Sequence, residues 1–296
     1  MKKFSSKDNI TIGVAAHGNV ETTRTCVDKI INSIEGNFEL ILVDDCSPDN
    51  NQTKDFFKSV QKETPNTKVF SFNENLEYTE SVNCILSHST GQKILFVSND
   101  VFINSYYLEE VIEISNKSEN IGTVRGVSNF VDNASKIHQV HINGIQQIDE
   151  MSKKIYEKNK SKYIEEKFLT GDVFLVNRTA LEKVGYYDNL FYGYFADHDL
   201  GIRLRSAGYK LILSLGAFSY HDKHINFNYL KGEEKKKKLH NRFIKVYENW
   251  ARFKLKYSLP VNFMFPGVNN IPWDELVKKN TKNIFLKKKN YSKYLI

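Results

Sequence analysis

Apolar runs of strand length alternate with amphipathic segments through residues 1–225 of the chain. The run from Ile10 to Ala16 is rich in β-branched residues and predicts a strand, and Thr22 to Ile34 follows it with helical spacing. The alternation recurs in three further predicted strands, which are Phe38 to Val43, Lys68 to Phe72 and Lys93 to Val97. Strands that alternate with helices indicate a mostly parallel sheet with helices on both faces. We therefore predict an α/β fold with three layers.

The alternation weakens between Asn133 and Lys167, in a polar stretch rich in lysine and glutamine. Only Val140 to Ile148 predicts a strand there. We interpret the stretch as an insertion or as a loop that faces a substrate. Regular patterning returns at Phe168, and a final strand is predicted at Lys210 to Leu213.

Beyond His224 the chain becomes basic and predicts a long helix, Glu233 to Tyr257. One face of this helix carries an apolar stripe, which consists of Leu239, Phe243, Val246 and Trp250. We expect the stripe to pack on the protein itself, with an anionic membrane surface or a homodimer contact as the alternatives. The predicted organisation is a main domain at 1–225 and a basic, mainly helical C-terminal extension at 226–296.

Composition narrows the classes of protein that this pattern allows. The 296 residues are 41% hydrophobic and 26% charged, which is ordinary for a globular protein and too polar for an integral membrane protein. No apolar run reaches the roughly 18 residues of a spanning helix, and the N-terminus lacks a signal-peptide pattern. We therefore predict a cytoplasmic protein, with the inner face of the membrane as the alternative location. The cysteines Cys26, Cys46 and Cys84 have no CxxC spacing, so neither a disulfide framework nor a zinc site is predicted.

The formal net charge of +7 is concentrated in the last quarter of the chain, where Lys235 to Lys238 and Lys287 to Lys289 lie. Basic tails of this kind are typical of a solvated protein face or of contact with an anionic membrane. No nucleic-acid-binding motif accompanies the charge, so we predict no nucleic-acid partner.

Polar residues follow two of the predicted strands at the point where each strand ends. Asp44 and Asp45 follow one, and Ser98, Asn99 and Asp100 follow another. The carboxyl ends of parallel strands face the ligand crevice of such a sheet, and oxygen ligands suit Mg²⁺ or Mn²⁺. From spacing alone, helix capping by the acidic pair and a simple turn at Asn99 explain the same residues equally well.

Two further segments carry candidate chemistry. Asp197 and Asp199 open a predicted helix, so one can cap it while the other faces the crevice as a general base. His221 and His224 follow the final predicted strand, and either imidazole could complete a metal site or simply be structural.

In order along the chain, these segments resemble the family 2 glycosyltransferases of the GT-A fold. The second strand and its turn read FELILVDDCSPD, the stretch around Asp100 reads GQKILFVSNDV, and a later segment reads VGYYDNLFYGYFADHDLGIRLRSAG. The segments that carry the resemblance are Ile10 to Asn19, Phe38 to Asp49, Asn75 to Asn83, Gly91 to Val101, Leu169 to Val176 and Val184 to Gly208. The resemblance implies a nucleotide-diphospho-sugar transferase-like α/β/α sandwich.

The resemblance also implies roles for individual residues. Asp197 would be the general base, and Asp100 with His221 would hold a divalent metal, Mn²⁺ or Mg²⁺. Asp45 would contact the nucleotide base with support from Asp44. The full set implied to bind the nucleotide sugar is Ala15, His17, Asp44, Asp45, Asn75, Asn99, Asp100 and Asp172.

The implied reaction is a single in-line displacement that inverts the anomeric carbon, without a covalent sugar intermediate. The donor would be a nucleotide-diphosphate sugar, with UDP favoured. The acceptor would be a hydroxyl group of a glycan, a lipid-linked molecule or a protein. The implied setting is bacterial surface-polysaccharide or glycoconjugate synthesis.

Three residues depart from the family pattern. Ser98 stands where a full DxD motif has its first acid, Ala196 replaces a common Glu before the base, and Ala15 replaces a hydroxyl residue near the nucleotide base. Because of these departures, an inactive nucleotide-sugar-binding protein remains an alternative interpretation. A nucleotidyltransferase is the other alternative, although the loop after the first strand lacks the expected Lys or Arg until Arg24.

Overall fold

The computed structural model describes residues 3–5, 7–129, 145–222, 232–280 and 290–295. Its strands are β1 (Phe4–Ser5), β2 (Ile10–Ala16), β3 (Ile34–Glu35), β4 (Glu39–Asp44), β5 (Thr67–Ser71), β6 (Lys93–Ser98), β7 (Val101–Phe102), β8 (Ile121–Ser128), β9 (Tyr163–Glu165), β10 (Val173–Asn177) and β11 (Lys210–His221). Its helices are α1 (Val20–Ser33), α2 (Gln52–Glu63), α3 (Glu77–His88), α4 (Ser105–Ser115), α5 (Ile145–Asn159), α6 (Arg178–Val184), α7 (Ala196–Ser206), α8 (Gly232–Lys256) and α9 (Trp273–Lys279). One short 3-10 turn lies between α8 and α9 at Val268–Asn270, and another follows α9 at Ser292–Tyr294.

The central sheet has the order β5-β4-β2-β6-β10-β8-β11-β7, with β9 paired to β11. The strands from β5 to β6 are parallel, as the alternating pattern predicts. On the other side of β6 the sheet becomes mixed, because β10 runs antiparallel between β6 and β8. The parallel half brings the carboxyl ends of β2, β4 and β6 to one edge, where the candidate site residues lie.

Helices cover both faces of the sheet and give it two hydrophobic layers. All six residues of β4 are buried, and they alternate between the layers: Leu40 and Leu42 face one, and Ile41 and Val43 face the other. Because both faces are covered, the four central residues of the strand, Leu40 to Val43, are all apolar rather than alternating in polarity. The predicted three-layer α/β/α fold is confirmed.

The predicted strand at Val140 to Ile148 is wrong where it overlaps the described residues. Residues 140–144 lie outside them, and Ile145 to Ile148 form the first turn of α5. The physical reason is the helical spacing of Ile148, Ser152 and Ile155, which form the buried face of α5. The remainder of the predicted insertion includes strand β9, which pairs with β11.

The last strand is longer than predicted. β11 continues from Lys210 through His221 because a register shift between Ser214 and Phe218 carries it past the interruption around Gly216. Its end pairs with β7, which places His221 opposite Val101. His224 and Lys287 to Lys289 lie outside the described residues, as do the side chains of Lys235 and Lys238.

The apolar stripe of α8 packs on the protein at only one end. Trp250 is buried in the same hydrophobic layer as the sheet, and Val246 is half-buried against it. Leu239 and Phe243 are 47% and 58% exposed, so the expectation that the whole stripe packs on protein is wrong for these two residues. Within the described residues, no helix has the length and apolar character needed to cross a membrane.

Candidate active site

Two cavities open at the edge where β2, β4 and β6 end. The first, which we call the carboxylate cavity, has a volume of about 480 Å³ and contains Asp100, Asp172, Asp197 and His221 in its lining. The second, the Asp45 cavity, has a volume of about 670 Å³. Its lining includes Ala15, His17, Asp45, Asn75 and Asn99. Tyr78, Ser98 and Asp100 line both, so the two cavities meet at Asp100.

The Asp45 cavity is held in shape by hydrogen bonds at the ends of β2 and β4. The His17 Nδ1 atom lies 2.7 Å from the Asp45 carbonyl oxygen, and Asn75 Nδ2 lies 3.3 Å from His17 Nε2. The backbone N–H of Leu76 donates to the Asp45 carboxylate at 2.7 Å. Burial raises the pKa of Asp45 to about 6, even though these partners favour the charged form. Asp45 therefore offers an acceptor whose charge changes just below neutral pH.

Asp44 and Asn99 have structural partners of their own. The Asp44 carboxylate accepts a 3.0 Å hydrogen bond from the backbone N–H of Ser47, which closes a turn in the loop after β4. It does not cap a helix, because α2 begins at Gln52. Asp44 is buried and is not among the described residues that line the two cavities. Asn99 lines the Asp45 cavity, but its amide donates to Thr23 Oγ1 at 2.8 Å and so ties β6 to helix α1.

Asp100, Asp172 and His221 form a compact cluster in the carboxylate cavity. His221 Nε2 lies 3.3 Å from the Asp100 carboxylate, and Nδ1 lies 3.7 Å from Asp172. The backbone of His221 exchanges hydrogen bonds of 2.7 and 3.0 Å with the Asn129 side chain, which fixes the end of β11. Burial lowers the pKa of His221, but the two carboxylates outweigh it and raise the pKa to about 10. In the absence of a metal ion the protonated imidazole offsets the charge of its acidic neighbours, and a bound divalent ion would displace that proton.

The donor types of this cluster, though not a complete arrangement of them among the described residues, are those that bind a divalent ion. Both carboxylate oxygens of Asp172 are buried without a hydrogen-bond partner among the described residues, and Asp100 lies on the far side of the same imidazole. Carboxylate oxygens with one imidazole suit Mn²⁺ or Mg²⁺. In the described part of the chain, however, no three acidic, His or Cys side chains are arranged as a complete metal site. A bound ion would therefore draw further oxygen ligands from its substrate or from water.

The two acids at the start of α7 face opposite ways. Asp197 lines the carboxylate cavity, and its Oδ1 accepts a 2.9 Å hydrogen bond from the His198 backbone N–H. Asp199 is fully buried and pairs with Arg203 at 2.8 Å. Burial raises the pKa of Asp199, but Arg203 and Lys256 outweigh it and hold the pKa below its usual range. Asp199 is therefore structural, and Asp197 is the acid available for chemistry.

Further residues of the carboxylate cavity were not predicted as site residues from the sequence, among them Tyr78, His198, Arg242 and Phe265. Tyr78 lies in one of the segments that carry the family resemblance, and its hydroxyl donates to the Gly171 carbonyl oxygen at 2.6 Å. Arg242 and Phe265 belong to the C-terminal extension. No local sequence signal places them in this cavity, because their position depends on how the C-terminal segment packs on the rest of the chain.

Comparison with known proteins identifies the family of the chain. The family model described as "Glycosyl transferase family 2" matches residues 11–185, more than half of the chain. The match contains Asp45, Asp100 and Asp172 and ends before Asp197 and His221. No curated protein sequence matches the chain.

Three solved structures resemble the chain in fold. The mannosyltransferase PcManGT from Pyrobaculum calidifontis, in complex with GDP-Man and Mn²⁺, has a TM-score of 0.59 at 13% identity over 93% of this chain and 69% of its own. GalNAc-T7 with UDP, GalNAc and Mn²⁺ has a TM-score of 0.58 at 12% identity over 72% of this chain. The alignment spans 44% of the length of GalNAc-T7. TarS 1-349 from S. aureus has a TM-score of 0.53 at 15% identity over 83% of this chain and 72% of its own. At these identities the likeness shows the fold alone.

Proposed function

The chain belongs to glycosyl transferase family 2 and has the GT-A fold, and from this premise we propose that it transfers a sugar from a nucleotide-diphosphate donor to a hydroxyl acceptor with inversion. One observation carries the proposal: the Asp45 cavity and the carboxylate cavity meet at Asp100. A donor that spans them has its nucleoside beside Asp45, its diphosphate at Asp100 and its sugar near Asp197.

Each residue then has a distinct task. The Asp45 carboxylate accepts a hydrogen bond from the nucleotide base, and His17 and Asn75 shape the wall around it. Asp197 takes the proton of the acceptor hydroxyl as that oxygen attacks the anomeric carbon. The carbon–oxygen bond to the diphosphate breaks in the same step, so no sugar–enzyme intermediate forms.

Asp100 and His221 are the residues that would hold a divalent ion, with Asp172 close behind the imidazole. Such an ion supplies electrostatic stabilisation to the departing diphosphate. Two of the structurally similar proteins are described with Mn²⁺, which supports this part of the proposal.

We further propose a UDP-sugar as the donor and a glycan, lipid-linked molecule or protein as the acceptor, in bacterial surface-polysaccharide synthesis in the cytoplasm. Among the similar proteins, one is described with UDP and another with GDP-Man, so both bases belong in any test. A nucleotidyltransferase is disfavoured by the family match. It is also disfavoured by the segment from Ala15 to Glu21, which contains no Lys or Arg.

The exposed half of α8 supports a peripheral contact with anionic lipid at the inner face of the membrane. Leu239 and Phe243 are exposed there beside the exposed Lys236 and Lys237. Co-sedimentation with phosphatidylcholine vesicles, with and without phosphatidylglycerol, tests this contact. A Phe243→Ser variant should lose binding to the anionic vesicles. A homodimer in gel filtration that Phe243→Ser dissociates would instead assign this face to a second copy of the chain.

The activity itself is tested by thermal stabilisation with UDP-, GDP-, dTDP- and CMP-sugars, each with Mn²⁺, Mg²⁺ or EDTA. A ligand that binds the native state raises the melting temperature. We expect a metal-dependent shift with one nucleotide class, followed by release of that nucleotide when an acceptor is supplied. Binding without any release would indicate an inactive nucleotide-sugar-binding protein, and no shift with any donor would contradict the proposal.

A further inference from the structure

One face of α8 is fixed against the active site by contacts that the sequence does not reveal. Arg242, Lys245, Val246 and Asn249 lie at i, i+3, i+4 and i+7, so they share that face. The fully buried Asn249 side chain accepts a 2.9 Å hydrogen bond from the Tyr192 backbone N–H and donates one of 2.9 Å to its carbonyl oxygen. The helix therefore has a defined rotation at this point.

Two further contacts extend this anchoring toward the cavities. Lys245 forms an ion pair with Glu77, which lines the Asp45 cavity. Val246 lines the carboxylate cavity, and Arg242, one turn earlier, lines it as well. Arg242 is exposed and can be reached by a ligand that enters. The face of α8 thus forms one wall of the site, although α8 lies outside the family match at 11–185.

The charged side chains that line the two cavities are mainly acidic, so a cationic residue in this wall matters for binding an anion. Asp100, Asp172 and Asp197 line the carboxylate cavity, and Asp45, Asp49 and Glu77 line its neighbour. Among the described residues that line the two cavities, Arg242 is the only Lys or Arg. A nucleoside diphosphate is a polyanion, so an acidic site needs cations to receive it.

We propose that Arg242 binds the diphosphate of the nucleotide-sugar donor. The inference rests on the proposed function and deepens it by assigning a residue of the C-terminal helix to donor binding. When the bond between the anomeric carbon and the diphosphate oxygen breaks, the electron pair stays on that oxygen. The acceptor oxygen forms the new bond and its proton goes to Asp197. The planar guanidinium can donate two parallel hydrogen bonds to phosphate oxygens, which an ammonium group cannot match.

The test measures binding of UDP, uridine, GDP and guanosine to the full chain by calorimetry, with Mn²⁺ present and with EDTA. The variants are Arg242→Ala, Arg242→Lys and the control Lys237→Ala, which removes the same charge from an exposed position of α8 outside both cavities. We expect Arg242→Ala to weaken binding of the preferred nucleoside diphosphate about 10-fold or more. Arg242→Lys should lie between it and the wild type, and nucleoside binding should not change. Melting temperatures of all variants check that each is folded.

The outcomes separate this inference from the proposed function. If the wild type binds no nucleoside diphosphate, the proposed function fails and the assignment of Arg242 fails with it. If the wild type binds one and Arg242→Ala binds it equally well, only the inference fails. A loss that is equal for the nucleoside and its diphosphate, or equal in Lys237→Ala, also overturns it, because neither result reports a contact with the diphosphate.

Discussion

The hydroxyl group of Tyr257 donates a 2.7 Å hydrogen bond to the carboxylate of Asp199. Asp199 is fully buried and also pairs with Arg203 and Lys256, so it joins α7 to the end of α8. Asp197 precedes it by two residues and faces the carboxylate cavity. The buried network thus fixes the helical turn that presents the proposed general base.

This network predicts a large loss of stability for Lys256→Met. The substitution removes one of the two cations that pair with Asp199 and leaves Arg203 and the Tyr257 hydroxyl as its partners. It also removes the 2.7 Å ion-pair partner of Asp188. We expect the free energy of unfolding in urea at pH 7 to fall by about 3 kcal/mol. Lys237→Met on the exposed side of the same helix should change it by less than about 0.5 kcal/mol.

The same variant has a predicted pH dependence. The pKa of Asp199 is lower in the folded protein than in the unfolded chain, so its carboxylate stabilises the fold above about pH 4. That contribution is lost as the pH falls through the lowered pKa. The stability difference between the wild type and Lys256→Met should therefore shrink between pH 4 and acid unfolding. A difference that stays constant over this range would contradict the ion-pair explanation.

Asp197→Asn should strongly slow sugar transfer while leaving donor binding intact. An amide of the same shape cannot take the acceptor proton, so we expect the turnover rate to fall about 10³-fold. The donor-induced rise in melting temperature should match that of the wild type. Asp55→Asn, at an exposed helical position, is the control. Full transfer activity in Asp197→Asn would rule out this residue as the base.

His221→Ala should weaken the response to metal. Its imidazole lies between Asp100 and Asp172, and removing it takes a nitrogen ligand from the proposed ion. We expect the Mn²⁺ concentration for half-maximal activity to rise about 10-fold or more. His240→Ala, at an exposed position of α8, should leave that concentration unchanged. An unchanged Mn²⁺ response in His221→Ala would show that His221 is not a metal ligand and would leave Asp100 as the proposed protein ligand.

The acidic residues at the strand ends could be predicted from the sequence, but the contribution of helix α8 to the cavities could not. Asp45 and Asp100 could be found because apolar strands stop directly before each acidic segment, and parallel strands bring such ends together. Arg242 could not be found, since its place depends on how Asn249 and Lys245 fix α8. Likewise, the apolar residues from Val140 to Ile148 predicted a strand. The helical spacing of the buried residues Ile148, Ser152 and Ile155, most of which lie beyond that stretch, instead places Ile145 to Ile148 in α5.

Donor affinity should fall as the pH drops through about 6. Burial raises the pKa of Asp45 to about 6, so its carboxylate is charged at pH 7 and largely protonated at pH 5. We expect the affinity for the preferred nucleotide sugar to fall about tenfold over this interval. Nucleotide sugars are the appropriate probe, because they lack the terminal phosphate ionisation near pH 6. Asp45→Asn should bind more weakly at pH 7 and show no such pH dependence.

Gly171→Ala should misplace two residues of the carboxylate cavity. A Cβ atom at this position would overlap the Tyr78 hydroxyl and lie 3.2 Å from Asp197 Oδ2. The backbone of Gly171 is outside the left-handed region, so alanine fits its conformation and the conflict is steric alone. A displacement of about 1 Å at the reacting groups costs roughly 10²-fold in rate, which is the expected loss of turnover.

The double variant Gly171→Ala/Tyr78→Phe isolates the cause of that loss. Tyr78→Phe alone removes the 2.6 Å hydrogen bond to the Gly171 carbonyl oxygen and should lower turnover moderately. In the double variant, the missing hydroxyl leaves room for the new methyl group, so turnover should exceed that of Gly171→Ala. Residues in direct contact show such non-additivity, whereas independent positions do not. Losses that simply add would show that Gly171 acts through another contact, and the 3.2 Å approach to Asp197 would then be the one to test.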